Sequence, residues 1–339
     1  MGLILTSIAG IVEPSTSILP SVLAYGFLPM LGVNVLFVIL WLLMSKWFFL
    51  ISLGAIILRF HVVTLFLQVG GNADLPAPDE NPDIITLMSY NLHNFSGNGF
   101  KASPNDTNAL DFLTMLHHYS PDILCLQEYR EAQKVKVTDS LTLLGYNHYY
   151  GCGGTSSNPT GTVVFSKIPI TFVKKIDRQK LLVELMRDEQ KFRLLCVHMN
   201  SYSFNAHDRA DIEQMAHLKI DTLSRQTLSK AKETVLRHEE EWRDLLQPIV
   251  SETTMPLLMA GDMNDIPSSW LYSNITQYLS DTYCDEGTGF ATTYNGSFPR
   301  FRIDMVFHSH HFTTLSHKRI KVPFSDHYPV LVSFQLDTP

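Results

Sequence analysis

Polar residues capable of chemistry recur at the ends of apolar runs in the second part of this 339-residue chain. Asn91 and His93 follow the run IITLMSY, Gln127 and Glu128 follow ILCL, and His198 and Asn200 close RLLCVHMN. Asp262, Asn264 and Asp265 follow LLMAG, Asp304 lies in RIDMVF after Arg302, and Asp326 and His327 precede PVLVSF. Carboxylates, carboxamides and imidazoles are the residue types that bind polar ligands and exchange protons. The ends of buried strands are where α/β scaffolds place such groups. Taken one at a time these residues are weak signals, since an Asp-Met-Asn turn ends many strands and a glutamate caps many helices. Their repetition at five strand ends is what points to a site. No HExxH set occurs, and no two of Cys125, Cys152, Cys196 and Cys284 have metal-ligand spacing. Cys125 and Cys196 fall inside strand-like runs and are expected to be buried apolar fillers.

The elements that must carry these residues read as α/β. Strand-like runs at Ile84–Tyr90, Ile123–Gln127, Thr162–Ser166, Arg193–His198, Leu257–Gly261, Ile303–Phe307 and Pro329–Phe334 are short and often apolar at consecutive positions, as in strands covered on both faces. Thr107–His118 has apolar residues at helical spacing and ends at Ser120-Pro121. Ala206–Gln247 contains no Gly or Pro and reads as one long helix or two linked ones.

Charge separates this part from the first 69 residues. Charged residues make up 17% of the chain, below the ~25% of an average soluble protein. Between Glu13 and Asp74 only Lys46 and Arg59 are charged, so residues 1–70 carry net +1 and residues 71–339 net -8. Disulfide-dense and collagen-like classes are excluded by 4 Cys and 18 Gly. Ser21–Met44 is a 24-residue apolar stretch; as one helix it would reach about 36 Å, against a bilayer core of about 30 Å. Trp47–Leu67 is a second stretch. It contains Arg59, whose insertion cost of about 2.5–3.5 kcal/mol is outweighed by its many Leu, Ile, Phe and Val residues at about 0.3–0.6 kcal/mol each. The reading is a membrane-anchoring helical hairpin over residues 1–69, in contact with the bilayer through residues 18–69, with Met1–Val12 as the stub of an earlier helix. GGNADLPAPDENP at 70–83 is the linker, and residues 84–339 form the catalytic domain. Lys46 in the tight turn predicts a cytoplasmic turn and an extracytoplasmic C-terminal domain.

The ordered set SYNLHNF, LQEYRE, GTVVFSKIPI, CVHMNS, AGDMNDIPSS, FRIDMVF and FSDHYPVLVSF, over about residues 84–336, resembles the endonuclease/exonuclease/phosphatase family. With the apolar N-terminus, the chain is similar to its membrane-anchored bacterial branch. The resemblance implies a DNase I-like four-layer α/β sandwich, with two mainly antiparallel sheets flanked by helices. It also implies metal-assisted hydrolysis of a phosphate ester without a covalent enzyme intermediate. Carried over by motif, Glu128 is the principal Mg²⁺ ligand with Asn91 and Asp326 in support, and Mn²⁺ is a possible substitute. Asp262 orients and deprotonates the attacking water, and Asn264 bonds a non-bridging phosphate oxygen. His327 meets the transition state with its ring held by Asp304, while His198 and Asn200 contact the same phosphate. His93 is left without a role. FPRFRIDM stands where the inositol-polyphosphate 5-phosphatase branch has a PAWCDR-like run, which argues against that branch. The net charge of -8 on residues 71–339 disfavours duplex DNA as the substrate. A DNA nuclease and a non-catalytic membrane module with the same fold are the alternatives.

Overall fold

The computed structural model describes residues 2–74, 84–97, 105–155, 158–202, 225–252, 254–296 and 300–337. Most of the expected linker at 70–83, and the portion 206–224 of the expected long helix, lie outside the described residues. The chain divides into two compact units. One comprises Met1–Gln68, Asn200–Gln247 and Asp265–Gln277; the other comprises Val69–Met199, Pro248–Asn264 and Tyr278–Pro339.

The second unit is built on β1 (Ile84–Asn91), β2 (Ile123–Tyr129), β3 (His148–Thr155), β4 (Asn158–Ser166), β5 (Ile170–Lys175), β6 (Lys180–Arg187), β7 (Gln190–His198), β8 (Leu257–Asp262), β9 (Ser280–Asp281), β10 (Asp304–His308), β11 (Phe312–Arg319) and β12 (Val330–Leu336). They form two six-stranded sheets in the orders β11-β12-β1-β2-β4-β3 and β9-β10-β8-β7-β6-β5. Neighbours are antiparallel except β1 with β2 and β7 with β8. The sheets face each other across a largely apolar core. Ile85, Leu87, Ile123 and Val164 from one sheet meet Val183, Leu194, Leu258 and Val306 from the other. Helices flank this pair of sheets. Asp106–Tyr119 buries Ala109, Phe112 and Leu116, and Val137–Leu143 buries Val137 and Leu141, against Met88, Tyr90 and Leu124 on the outer side of the first sheet. Asn105 caps the first of these helices by accepting the Thr107 N–H at 2.9 Å, and Ser120 ends it in the left-handed region at φ +45°.

The two parallel pairs have a consequence for the site. β1 and β2 run together and end at Asn91 and Tyr129, and β7 and β8 run together and end at His198 and Asp262, so four carriers of polar residues finish in register: Asn91 is opposite Gln127, and His198 is opposite Asp262. Antiparallel β10 pairs its first residue, Asp304, with Asp262. Gly261 makes the β7–β8 approach possible, because a Cβ there would lie 1.8 Å from the Val197 carbonyl oxygen.

Cys125 and Cys196 are buried as expected, but they are not isolated fillers: their sulfurs form a disulfide joining β2 to β7, and hence one sheet to the other.

The first unit corrects the expectation of a transmembrane hairpin. Among the described residues no helix is long and apolar enough to cross a membrane. The stretch Ser21–Met44 is divided into helices Leu19–Ala24 and Phe27–Leu43, and Trp47–Leu67 into Phe49–Leu58 and Phe60–Thr64. Pro29 lies in the first turn of helix Phe27–Leu43, where its missing N–H needs no partner. The second break falls at Arg59, whose φ of -113° and ψ of 20° leave the helical region. The helices pack on Leu3, Phe27, Val62 and Phe66, yet leave large apolar side chains in the open, including Leu36, Leu43, Ile51 and Ile57 at 63–80% exposure. Helix Arg225–Glu241 continues into a π-helical turn at Trp242–Leu246. Of Leu228, Val235 and Trp242, spaced seven apart, Val235 and Trp242 are buried and Leu228 is exposed.

Candidate active site

The site grows from the strand ends. Asn91 closes β1 almost fully buried, and its Nδ2 donates to Asp262 Oδ2 at 3.0 Å and to Glu128 Oε1 at 3.2 Å. Its Oδ1 accepts the His93 N–H at 3.0 Å, which leaves that oxygen a second lone pair. Glu128 sits at a bulge, between Leu126 and Tyr129 where β2 slips register against β4, with φ +48°. A bulge aims a side chain away from the regular alternation, and here it sets a carboxylate beside Asn91.

His198 ends β7. Its Nε2 is buried without a hydrogen bond and lies 3.8 Å from both Glu128 Oε1 and Asp262 Oδ2. Asp262 is buried at the end of β8; its Oδ1 accepts the Asn264 N–H at 2.8 Å, a turn with Asn264 at φ +48°. Asn264 in turn donates its Nδ2 to the Met199 carbonyl at 2.9 Å. Asp304 Oδ2 stands 2.8 Å from His327 Nδ1, which directs Nε2 of the same ring toward Asp262 Oδ2 at 3.8 Å and Asp326 Oδ1 at 4.0 Å. Asn91, Glu128, His198, Asp262, Asn264, Asp304, Asp326 and His327 are thus linked by side-chain contacts within one unit. Asn200 belongs to the other unit, where its Nδ2 bonds Glu241 and its carbonyl meets His238 Nε2 at 2.7 Å.

Several supporting residues escaped the sequence reading. Ser325 Oγ donates to the Asn91 carbonyl at 2.7 Å and accepts the His327 N–H at 3.1 Å, fixing two site residues with one hydroxyl. Thr293 Oγ1 accepts the Asp304 N–H at 3.0 Å. His93, left without a role, places Nδ1 3.2 Å from Asp326 Oδ1. Only its position two residues past Asn91 hinted at this.

Electrostatics divide the labour. Burial pushes the Asp262 carboxyl up, and the Asp304 charge adds to it, so Asp262 is a stronger base than an ordinary aspartate. Burial alone would lower His327, but Asp304 and Asp262 together carry it to about 10, leaving it an imidazolium at neutral pH. Burial would raise Asp326, but the His93 hydrogen bond and the His327 charge hold it below the usual carboxylate range. The bond to Asp326 is the largest influence on His93 and raises it against the effect of burial.

The donor set fits a hard divalent cation. Oxygen ligands dominate, Glu128 and Asp326 are carboxylates facing the cluster, and Asp304 Oδ1 is buried without a hydrogen-bond donor. Asp262, Asp304 and His327 also offer ligand atoms within 4.8 Å of one another. In that trio His327 Nδ1 is already engaged by Asp304, which suits proton chemistry better than ligation.

Residues 88–327 match the sequence profile of the Endonuclease/Exonuclease/phosphatase family, and residues 1–66 match a domain of unknown function, DUF8431. No functionally curated protein matches the chain. The fold is similar to that of an endonuclease/exonuclease/phosphatase from Beutenbergia cavernae (TM-score 0.50, 16% identity, covering 75% of this chain and 72% of that one). It is also similar to the human Nocturnin catalytic domain with bound sulfate (0.50, 18%, 76% and 95%). An endonuclease/exonuclease/phosphatase from Bacteroides vulgatus is a third (0.50, 15%, 75% and 99%). With a matched region that runs from within β1 to His327 and so contains every residue of the buried cluster, the chain belongs to the endonuclease/exonuclease/phosphatase family.

Proposed function

We propose that the chain is a membrane-anchored, Mg²⁺-dependent phosphoric ester hydrolase acting on a small or lipid-borne phosphodiester. The observation that carries the hydrolase reading is the pairing of a raised, buried carboxylate with an imidazolium 3.8 Å away, beside two further carboxylates. Asp262 takes the proton of the attacking water, oriented for this by the Asn91 carboxamide and the Asn264 N–H. His327 places a fixed positive charge where the phosphorane develops negative charge, and Asp304 keeps it protonated and correctly turned. His198 and Asn264 bind non-bridging oxygens. Glu128 and Asp326, with Asn91, are the residues that would hold Mg²⁺ or Mn²⁺, which when bound supplies charge neutralisation and polarisation of a phosphoryl oxygen.

Anchoring is assigned to residues 1–69, the linker to 70–83 and catalysis to 84–339. The support for anchoring is the absence of charge from residues 14 to 45 and the apolar side chains that both longer N-terminal helices leave exposed. An extracytoplasmic site is supported by the Cys125–Cys196 disulfide, a bond that persists in oxidising compartments. Initial rates on plasmid DNA, an abasic-site duplex and phospholipid headgroup diesters at matched Mg²⁺ test the substrate class. Headgroup diesters are expected to be preferred; preference for either DNA would replace this reading with a nuclease.

A further inference from the structure

The unit that holds the N-terminal helices contains a buried polar chain that the mechanism above does not use. Asp265 directly follows Asn264 in the sequence and is 5% exposed. Its Oδ1 accepts the Ile266 N–H at 2.9 Å, which satisfies the local turn. Two more groups reach the same carboxylate from distant parts of the chain. Tyr25 Oη donates to Oδ1 at 3.3 Å across 240 positions, and His238 Nδ1 lies 3.5 Å from Oδ2. Tyr25 Oη is also 2.6 Å from Tyr202 Oη, and the Tyr202 ring sets its edge against His238. The other nitrogen of His238 meets the Asn200 carbonyl at 2.7 Å.

One imidazole therefore stands between Asn200 and Asp265, hydrogen-bonded to the first and within ion-pair distance of the second. These are the residues next in sequence to Met199 and Asn264, which are themselves bonded through the Asn264 side chain. Met199 also donates its N–H to the Asp262 carbonyl at 2.9 Å. Tyr25 enters this arrangement because the apolar stretch breaks there, between Leu19–Ala24 and Phe27–Leu43. An unbroken helix would have no reason to retain a buried tyrosine hydroxyl aimed at an aspartate. The same segment is fastened nearby, where Ser15 gives its N–H and hydroxyl to the two Glu239 oxygens and Glu13 pairs with Arg243 at 2.8 Å.

We propose that Tyr25 and His238 are positioning residues for the turn that carries Asp262 and Asn264, acting through Asp265 and Asn200, so that the N-terminal segment sets turnover as well as location. The inference rests on the hydrolase reading. The full chain, purified with its N-terminal helices, is assayed with bis(p-nitrophenyl) phosphate and Mg²⁺. Tyr25→Phe, which removes one hydroxyl, is expected to lower kcat about tenfold, the equivalent of one hydrogen bond to a charged group, with little change in KM. Tyr25→Phe combined with Asp265→Asn is expected to be no worse than Asp265→Asn alone, because both act through one contact. Hydrogen exchange supplies a readout free of activity: amides of residues 263–266 exchange faster in Tyr25→Phe while those of β8 do not change. An unchanged kcat, multiplying losses in the double variant, or unaltered exchange would each overturn the proposal. A wild-type chain without turnover would instead remove the hydrolase reading, and the exchange data would then judge the coupling on their own.

Discussion

Replacing Asp304 with Asn separates the charge on His327 from the shape of the site. The side chains are nearly isosteric, and the bond at Nδ1 can be kept through the carboxamide oxygen. What disappears is a negative charge 2.8 Å from the ring. At an effective dielectric of about 20, such a pair interacts by about 6 kcal/mol, or about 4 pKa units at 1.36 kcal/mol each. Asp262, 3.8 Å from the other nitrogen, remains and limits the fall. His327 is therefore expected to drop from about 10 by at least about two units. The sign follows from the direction of the wild-type shift. With the folded value raised above about 6.5, the stabilisation from this pair is complete below about pH 6.5 and is lost as pH rises toward about 10. If the imidazolium is the active form, wild-type kcat/KM holds level through neutral pH and declines only near pH 10, whereas Asp304→Asn declines from about pH 8 or below. The assay is a pH profile of diester hydrolysis for both proteins, with denaturant stability over the same range. Parallel profiles would refute the assignment of His327 as a cation held by Asp304.

Asp262→Ala and His327→Ala are each expected to lower kcat by about 10²–10⁴-fold with the circular dichroism spectrum unchanged; near-wild-type rates in either would remove its role. His317 is buried, and burial pushes it down to about 4. Its neutral form is the folded one, so stability is full above about pH 6.5 and falls by up to about 3 kcal/mol as pH drops toward about 4; urea titrations should show a smaller acid loss in His317→Gln. The Cys125–Cys196 bond closes a separation of 71 residues, for which chain entropy gives about 4 kcal/mol; Cys125→Ala should lower denaturant stability by a comparable amount under oxidising conditions and by much less under reducing ones.

Strands buried on both faces were readable because their apolar runs are continuous: β1, β2, β8 and β12 fall within two residues of the expected limits. β5 was not, because it has no buried position and ends in Lys174 and Lys175. Nor was β11, whose polar residues are paired rather than solvated, with Ser316 on Ser333 and His317 on Thr282. At the site the residue types were legible, since acids, amides and imidazoles recur together at five strand ends. Their partners were not, because Ser325, Thr293 and His93 become supports only through contacts across distant sequence positions. The N-terminal stretch was misjudged for a related reason. Hydropathy registers Tyr25 and Arg59 as tolerable in a span, but it carries no information about Asp265, the acid that takes the Tyr25 hydroxyl.

Turnover by the full chain after exhaustive EDTA treatment, followed by addition of Mg²⁺ or Mn²⁺, tests the central claim most directly. The account predicts loss of bis(p-nitrophenyl) phosphate hydrolysis on chelation and its return with either metal, but no return in Asp262→Ala. Full activity in the presence of EDTA would contradict it.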